Sequence, residues 1–150
     1  LGLTHDWPVV IVGAGNLGQA LAGYNGFGDR GFPVGGIVDV DPAKVGSVVG
    51  GVRVRHLDEL AQVVQSRGIS IGVVATPGGA AQAAADALVA AGISSLLNFA
   101  PTVISVPAGI SVRKVDLAVE LQILSYYEQR RATATGLRAV PGERRRGATA

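Results

Sequence analysis

Residues 9–21 read VVIVGAGNLGQAL, an apolar run that breaks at Gly13, Gly15 and Gly18 and then resumes with helical spacing. Val9, Val10, Ile11 and Val12 are all β-branched and are bounded by Pro8 and Gly13, which predicts a strand buried on both faces in a parallel sheet. Residues 16–24 predict a helix. The three glycines between and within these elements have separate tasks. Gly13 allows the tight turn out of the strand, Gly15 lets a pyrophosphate approach the backbone, and Gly18 lets the helix pack against the strand. The N-terminus of that helix then faces the anion.

A glycine pattern of this kind is weak by itself, because a chain with 22 glycines makes ligand-free turns as well. Its context strengthens it. A second apolar strand in VGGIVDVDP, residues 34–42, ends at Asp39, about twenty residues past the last glycine, where an acidic side chain would meet the adenosine ribose. The candidate cofactor set is therefore Gly13, Ala14, Gly15, Asn16, Leu17 and Gly18, with Asp39 and Val40. Asp39 would repel a 2′-phosphate, so the expected ligand is NAD(H) rather than NADP(H). Asp41, just before Pro42, is expected as a turn or helix-cap residue. The alternative is a set of turn glycines with a surface aspartate and no ligand.

At 150 residues the chain predicts one domain, large enough for a proper core. It has no cysteine, which excludes disulfide and thiolate chemistry. No apolar run approaches the roughly 18 residues of a membrane span, and no signal peptide is visible, so a cytoplasmic protein without a membrane partner is expected. The opening LGLTHDWP, without Met, reads as a linker over residues 1–7 from an N-terminal domain that this chain lacks. The basic balance is misleading. Six of the thirteen Lys and Arg residues lie at or beyond Arg130, opposed there only by Glu143, while the first 129 residues carry a formal charge of −3. Such a body has no basic footprint for DNA. Residues 132–150 are rich in Ala, Gly, Thr and Arg and read as a disordered tail, with a phosphate-touching arm as the alternative.

Strand and helix signals alternate along the chain, which predicts an α/β, Rossmann-like, doubly wound parallel sheet over residues 8–113. After the Asp39 strand, DPAKVGSVVGG suggests a helical turn and loop, VRVRH a short strand, and LDELAQVVQSRG a helix closed by Gly68. ISIGVVAT is a central strand, PGGAAQAAADALVAAG an Ala-rich helix closed by Gly92, and ISSLLNF a further buried strand. VPAGISVRKV supplies at most a short final strand or loop. In such a sheet the ligand lies at the carboxyl ends of the strands where their order reverses. Ala75, Thr76 and Pro77 should then line the crevice, with Thr76 as helix cap and Pro77 as first helical residue. Asn98, Phe99, Ala100 and Pro101 are placed to enclose the nicotinamide half, and ordinary loop chemistry is the alternative for all seven.

The segment VDLAVELQILSYYEQRR breaks the pattern, because its apolar residues, including Leu117, Leu121, Leu124 and Tyr127, spread around the whole helical circumference. A helix apolar on all sides is covered on all sides. Residues 114–131 are therefore expected to form a C-terminal dimerisation helix exchanged between the subunits of a homodimer. Docking of the helix on its own sheet is the alternative. No catalytic residue emerges. His5 precedes the first strand, His56 follows the third, and neither pairs with a second group as an acid–base dyad would. No metal-ligand set is apparent either. A cofactor site without chemistry fits better than a dehydrogenase.

The succession GAGNLGQALAGYNGFGDRGF, DVDPAKVG, ATPGGAAQAAADALVAAGI, LNFAPTVISVP and VDLAVELQILSYY closely resembles the cofactor-binding domain of the Rex family of redox-sensing transcriptional repressors, in order and over most of residues 8–127. The resemblance implies a homodimer that senses NADH against NAD⁺ and leaves operator DNA when NADH binds. It also implies an N-terminal winged-helix domain for that DNA, which is absent from this chain. It places Tyr24 and Asp116 near the nicotinamide ring, with Asp116 reaching across the dimer. A core aromatic and a plain helix cap are the alternatives for these two. The rival to the whole reading is an NAD- or CoA-binding domain of a dehydrogenase or acyl-CoA ligase, and a structural domain with a vestigial site is a third.

Overall fold

The structure, a computed structural model, describes residues 5–134. Strand β1 (Val9–Val12) leads through helix α1 (Asn16–Gly23) and the short helix α2 (Asn25–Asp29) to strand β2 (Val34–Asp39). A hairpin of β3 (Val48–Val49) and β4 (Val52–His56) follows, then a 3₁₀ turn at Leu57–Glu59 and helix α3 (Leu60–Arg67). Strand β5 (Ile71–Val74), helix α4 (Gly78–Ala90), β6 (Ser95–Asn98), β7 (Ser111–Lys114) and helix α5 (Leu117–Ala134) complete the described chain. The strands form one sheet in the order β3-β4-β2-β1-β5-β6-β7, parallel throughout except for β3 against β4.

Alternation along β1 sets the two cores. Val10 and Val12 join Val38, Val74, Leu60 and Val64 with Ala81, Ala84, Ala85 and Leu88 in one cluster, under α3 and α4. Ile11 points the other way, to Ile37, Val54, Val73 and Ala22 of α1. This is the strand buried on both faces that its β-branched run predicts. The buried positions of α4, at spacings of three and four residues, make one apolar stripe of mostly alanines. Small side chains bring that helix close to the sheet, and a Cβ added at Gly72 of β5 would lie 2.8 Å from Leu88.

The fold is the expected α/β, Rossmann-like one, with three local differences. The segment read as loop contains β3, which pairs antiparallel to β4 through the Gly50–Gly51 turn, both residues at positive φ. Helix α2 was not anticipated, because Gly26 and Gly28 mask the helix signal in NGFGD. The expected cap at Thr76 is corrected too. Helix α4 begins at Gly78 with Pro77 as its N-cap in an extended conformation, and no side chain caps it. Proline fixes φ but its ψ of 158° stays outside the helix, so the helix starts one residue later.

The chain divides between Val115 and Asp116 into two compact units. The second contains α5, whose described part runs three residues past the expected boundary at Arg131, to Ala134. Its side chains Leu117, Leu121, Ile123, Leu124, Tyr126 and Tyr127 are exposed. The Arg130 guanidinium lies over the Tyr126 ring and donates to its hydroxyl at 3.1 Å, and Arg131 pairs with Glu128. Residues 135–150, which hold most of the Arg-rich tail, and residues 1–4 of the expected linker lie outside the described residues.

A Cβ added at Gly18 would lie 1.8 Å from the Gly13 carbonyl oxygen, a backbone atom that has no room to retreat, whereas nothing lies within 4 Å of one at Gly15. In urea denaturation Gly18→Ala should therefore lose about 3 kcal/mol, and Gly15→Ala no more than about 1 kcal/mol. Equal losses would contradict this packing.

Candidate functional site

The chain lays down β1, β2 and β4 in one direction from the centre, then returns to the other side of β1 with β5. The loops leaving β1 and β5 therefore diverge, and a crevice opens between them at the carboxyl ends of the strands. Backbone bonds hold the loops in step: the amide of Gly13 donates to Val38 O, that of Ala75 to Val12 O, and that of Phe99 to Val74 O, each at 2.9 Å.

Gly13 carries φ of +114° and approaches β5 so closely that a Cβ there would lie 2.6 Å from Ala75 O. Both the turn and the approach require glycine. The next residue carries the main polar tie of the site: Ala14 N donates to Asp39 Oδ2 at 2.6 Å, while Asp41 N donates to Asp39 Oδ1 at 2.9 Å. Both carboxylate oxygens of Asp39 are thus oriented by backbone donors, and each keeps a lone pair for a further donor. Gln19 closes the loop from behind, donating to Ala14 O at 2.8 Å.

The crevice contains a cavity of about 340 Å³ lined by Gly13, Gly15, Asp39, Val40, Asp41, Lys44, Leu57, Ala75, Thr76 and Pro77, with Ala80, Ala83 and Ala84 of α4. Two helix N-termini flank it. Neither α1, entered at Gly15, nor α4, entered at Pro77, has a side-chain cap or an acidic residue in its first turn. Helix N-termini left in this state attract an anion. The hydroxyl of Thr76 is buried without a protein partner, which in a native site points to a ligand or water. Diphosphate at the glycine turn and a ribose diol on Asp39 match this donor and acceptor set.

The sequence-derived residues divide between this crevice and other surroundings. Gly13, Gly15, Asp39, Val40, Ala75, Thr76 and Pro77 meet around the cavity; Ala14 and Gly18 are buried behind it, and Asn16 and Leu17 open α1. The later loop is arranged differently. Asn98, 1% exposed, accepts from Ala100 N at 2.9 Å and donates to Thr102 O at 2.8 Å, so its amide serves the loop itself. Ala100 joins the core, its carbonyl accepting from Lys114 Nζ at 3.2 Å, and Pro101 is exposed beside Gly78. Phe99 lines a second, apolar cavity of about 340 Å³ on the α1 face, with Ile11, Phe27, Phe32, Val73 and Leu97. Tyr24 caps the end of α1, 56% exposed, with Phe27 edge-on at 4.8 Å. Asp116 belongs to the second unit, where its carbonyl accepts from Glu120 N at 3.1 Å.

Sequence reading did not assign Lys44 or Leu57 to the crevice. The Asp41 side chain accepts from Ala43 N at 2.9 Å, as a turn residue would, and that turn brings Lys44 to the cavity wall. His56 is structural here, its Nδ1 accepting from Asp58 N at 3.0 Å. Among the described residues no group of His, Asp and Glu could hold a metal ion, and no helix is long and apolar enough to cross a membrane.

Ala14 is 1% exposed, so removing its acceptor leaves a buried amide unpaired. Asp39→Ala should cost about 1–3 kcal/mol in denaturant unfolding and speed hydrogen exchange at the Ala14 amide. Wild-type stability and protection in that variant would remove Asp39 as the anchor of the loop.

The model of the family described as "CoA binding domain" matches residues 4–102. A redox-sensing transcriptional repressor Rex of Streptomyces avermitilis is 62% identical over 132 residues, covering 88% of this chain and 52% of that protein. Among solved structures, RSP, a Rex-family repressor, in complex with β-NADH has a TM-score of 0.78 at 34% identity, covering 91% of this chain and 66% of RSP. RSP bound to β-NAD⁺ and operator DNA has a TM-score of 0.76 at 34% identity, covering 91% of this chain and 63% of RSP. The chain thus spans about half the length of the Streptomyces relative.

Proposed function

The chain belongs to the CoA-binding domain family and is homologous over that domain to the Rex repressors, and from this premise we propose that it is the NAD(H)-sensing part of a redox-sensing transcriptional repressor. The observation that carries the reading is the crevice itself. A glycine turn, two uncapped helix N-termini and a doubly anchored carboxylate converge there, and the structurally similar RSP is known with NADH bound. NADH binding would release the whole protein from operator DNA, a reading supported by the RSP complex with NAD⁺ and operator.

Each residue then has a defined task. Gly13, Ala14 and Gly15, with Asn16, Leu17 and Gly18 opening α1, would hold the pyrophosphate against backbone donors. Asp39 would accept from the ribose hydroxyls beside Val40, and Ala75, Thr76 and Pro77 would close the opposite wall. Residues 98–101 and Tyr24 would surround the nicotinamide end. The ring is cationic when oxidised and neutral when reduced, so an apolar surround favours NADH by the desolvation of the cation. The proposed role of the chain is detection rather than catalysis. His56, which precedes Leu57 of the crevice wall, accepts from Asp58 N and caps the turn that follows it.

The domain assignment belongs to the same proposal: residues 8–113 sense the nucleotide, and residues 114–131 dimerise the protein. The exposed apolar side chains of α5 support this, because such a surface on a soluble helix calls for a partner. Asp116, at the start of that helix, would meet Tyr24 of the other subunit and couple redox state to subunit orientation. One hydrogen bond to a charged group gives about 1.5–3 kcal/mol, whereas moving a two-state dimer from 1:99 to 99:1 takes about 5.5 kcal/mol. The pair can trigger the change, and contacts of the loop after β6 must supply the remainder.

Two variants test this reading. Gly15→Val, whose side chain enters open space, should fold like the parent yet show no NADH binding by fluorescence at concentrations that saturate the parent. Normal binding would exclude the glycine loop as the pyrophosphate site. Leu121→Arg, at a position 65% exposed in the single chain, should sediment as a monomer. An intact dimer from that variant would remove α5 from the interface.

A further inference from the structure

A second polar concavity lies away from the crevice and shares no residue with it. It is a groove of about 190 Å³ between the β2–β4 edge and α3, lined by Arg53, Arg55, Glu59, Gln62, Ser66 and Arg67. The sequence dictates its shape. Val54 is buried toward α1, so alternation along β4 turns Arg53 and Arg55 to the α3 side. Its floor is Gly35 and Gly36, where the strand has no side chains, and a Cβ at Gly36 would lie 2.4 Å from Val63 of α3.

Its charge is unbalanced. Arg55 donates to Glu59 at 3.0 Å, and this is the only carboxylate in the groove. Arg53 is fixed by a 2.9 Å bond to Gly46 O, a neutral acceptor. Arg67, in the last turn of α3, makes no ion pair among the described residues. Two positive charges remain uncompensated around one small concavity, and each anchored guanidinium still has donors in its planar fork. Such forks match the oxygens of a phosphoryl group in bidentate fashion. A groove of this size admits a short phosphate chain and not a dinucleotide.

We infer that this groove is a binding site for a small phosphoryl anion of the size of pyrophosphate, separate from the proposed NAD(H) crevice and independent of it. The concave shape favours a small anion over a nucleic-acid backbone.

The test is calorimetric titration of the full 150-residue chain with pyrophosphate at constant ionic strength, comparing the parent with Arg67→Gln, Arg53→Gln and Gly15→Val. Both arginine positions are exposed, and matching thermal melts establish that the variants fold. The expected result is a saturable site that either arginine substitution weakens about tenfold or more and that persists in Gly15→Val, the variant that removes binding at the glycine turn. Binding lost in Gly15→Val but kept in the arginine variants would assign the anion to the glycine turn and overturn the inference. Absence of saturable binding would also overturn it, as would arginine-dependent binding of a DNA duplex without binding of pyrophosphate.

Discussion

The bond from the Ala14 amide to Asp39 fixes the geometry on which the candidate site depends. It joins the loop after β1 to the end of β2 at 2.6 Å, between residues 25 apart in sequence. The same carboxylate takes a second backbone donor from Asp41, so its orientation is set before any ligand arrives. A charged acceptor held in this way gives a ribose diol a fixed target, and preorganisation of that kind reduces the ordering cost of binding.

The remaining architecture keeps that tie in place. Gly18 brings α1 against the Gly13 carbonyl, and Gly13 brings the loop against Ala75 of β5. Three adjacent carboxyl ends are thus bound to one another through contacts that larger residues would break. The cores on both faces of β1 hold the strands beneath them. The uncapped N-termini of α1 and α4 flank the space between the loops, where a diphosphate belongs in the proposed function.

Much of this was legible in the sequence because it rests on local chemistry. The β-branched run at Val9–Val12, the three glycines and the position of Asp39 each state a requirement of the backbone, and the strands and helices around them follow. What was not legible depends on tertiary contact. No local signal told that Asp39 would accept from Ala14, or that Lys44 would come to the cavity wall through the Asp41 turn. Thr76 looked like a cap because it precedes proline, yet the helix starts at Gly78 and leaves the hydroxyl buried without a protein partner. The bonds of the Asn98 amide within its own loop carry no local signal either. The short elements β3 and α2 were hidden because glycine-rich segments give no periodicity.

In the proposed function the crevice takes NAD(H), with the glycine turn at the diphosphate and Asp39 at the ribose. Calorimetric titration of the chain with NADH, NADPH and coenzyme A, side by side, tests it most directly. Saturable binding of NADH is expected, with much weaker binding of NADPH because its 2′-phosphate would meet the Asp39 carboxylate, and no comparable binding of coenzyme A. Equal affinity for NADH and NADPH, or preference for coenzyme A, would contradict it.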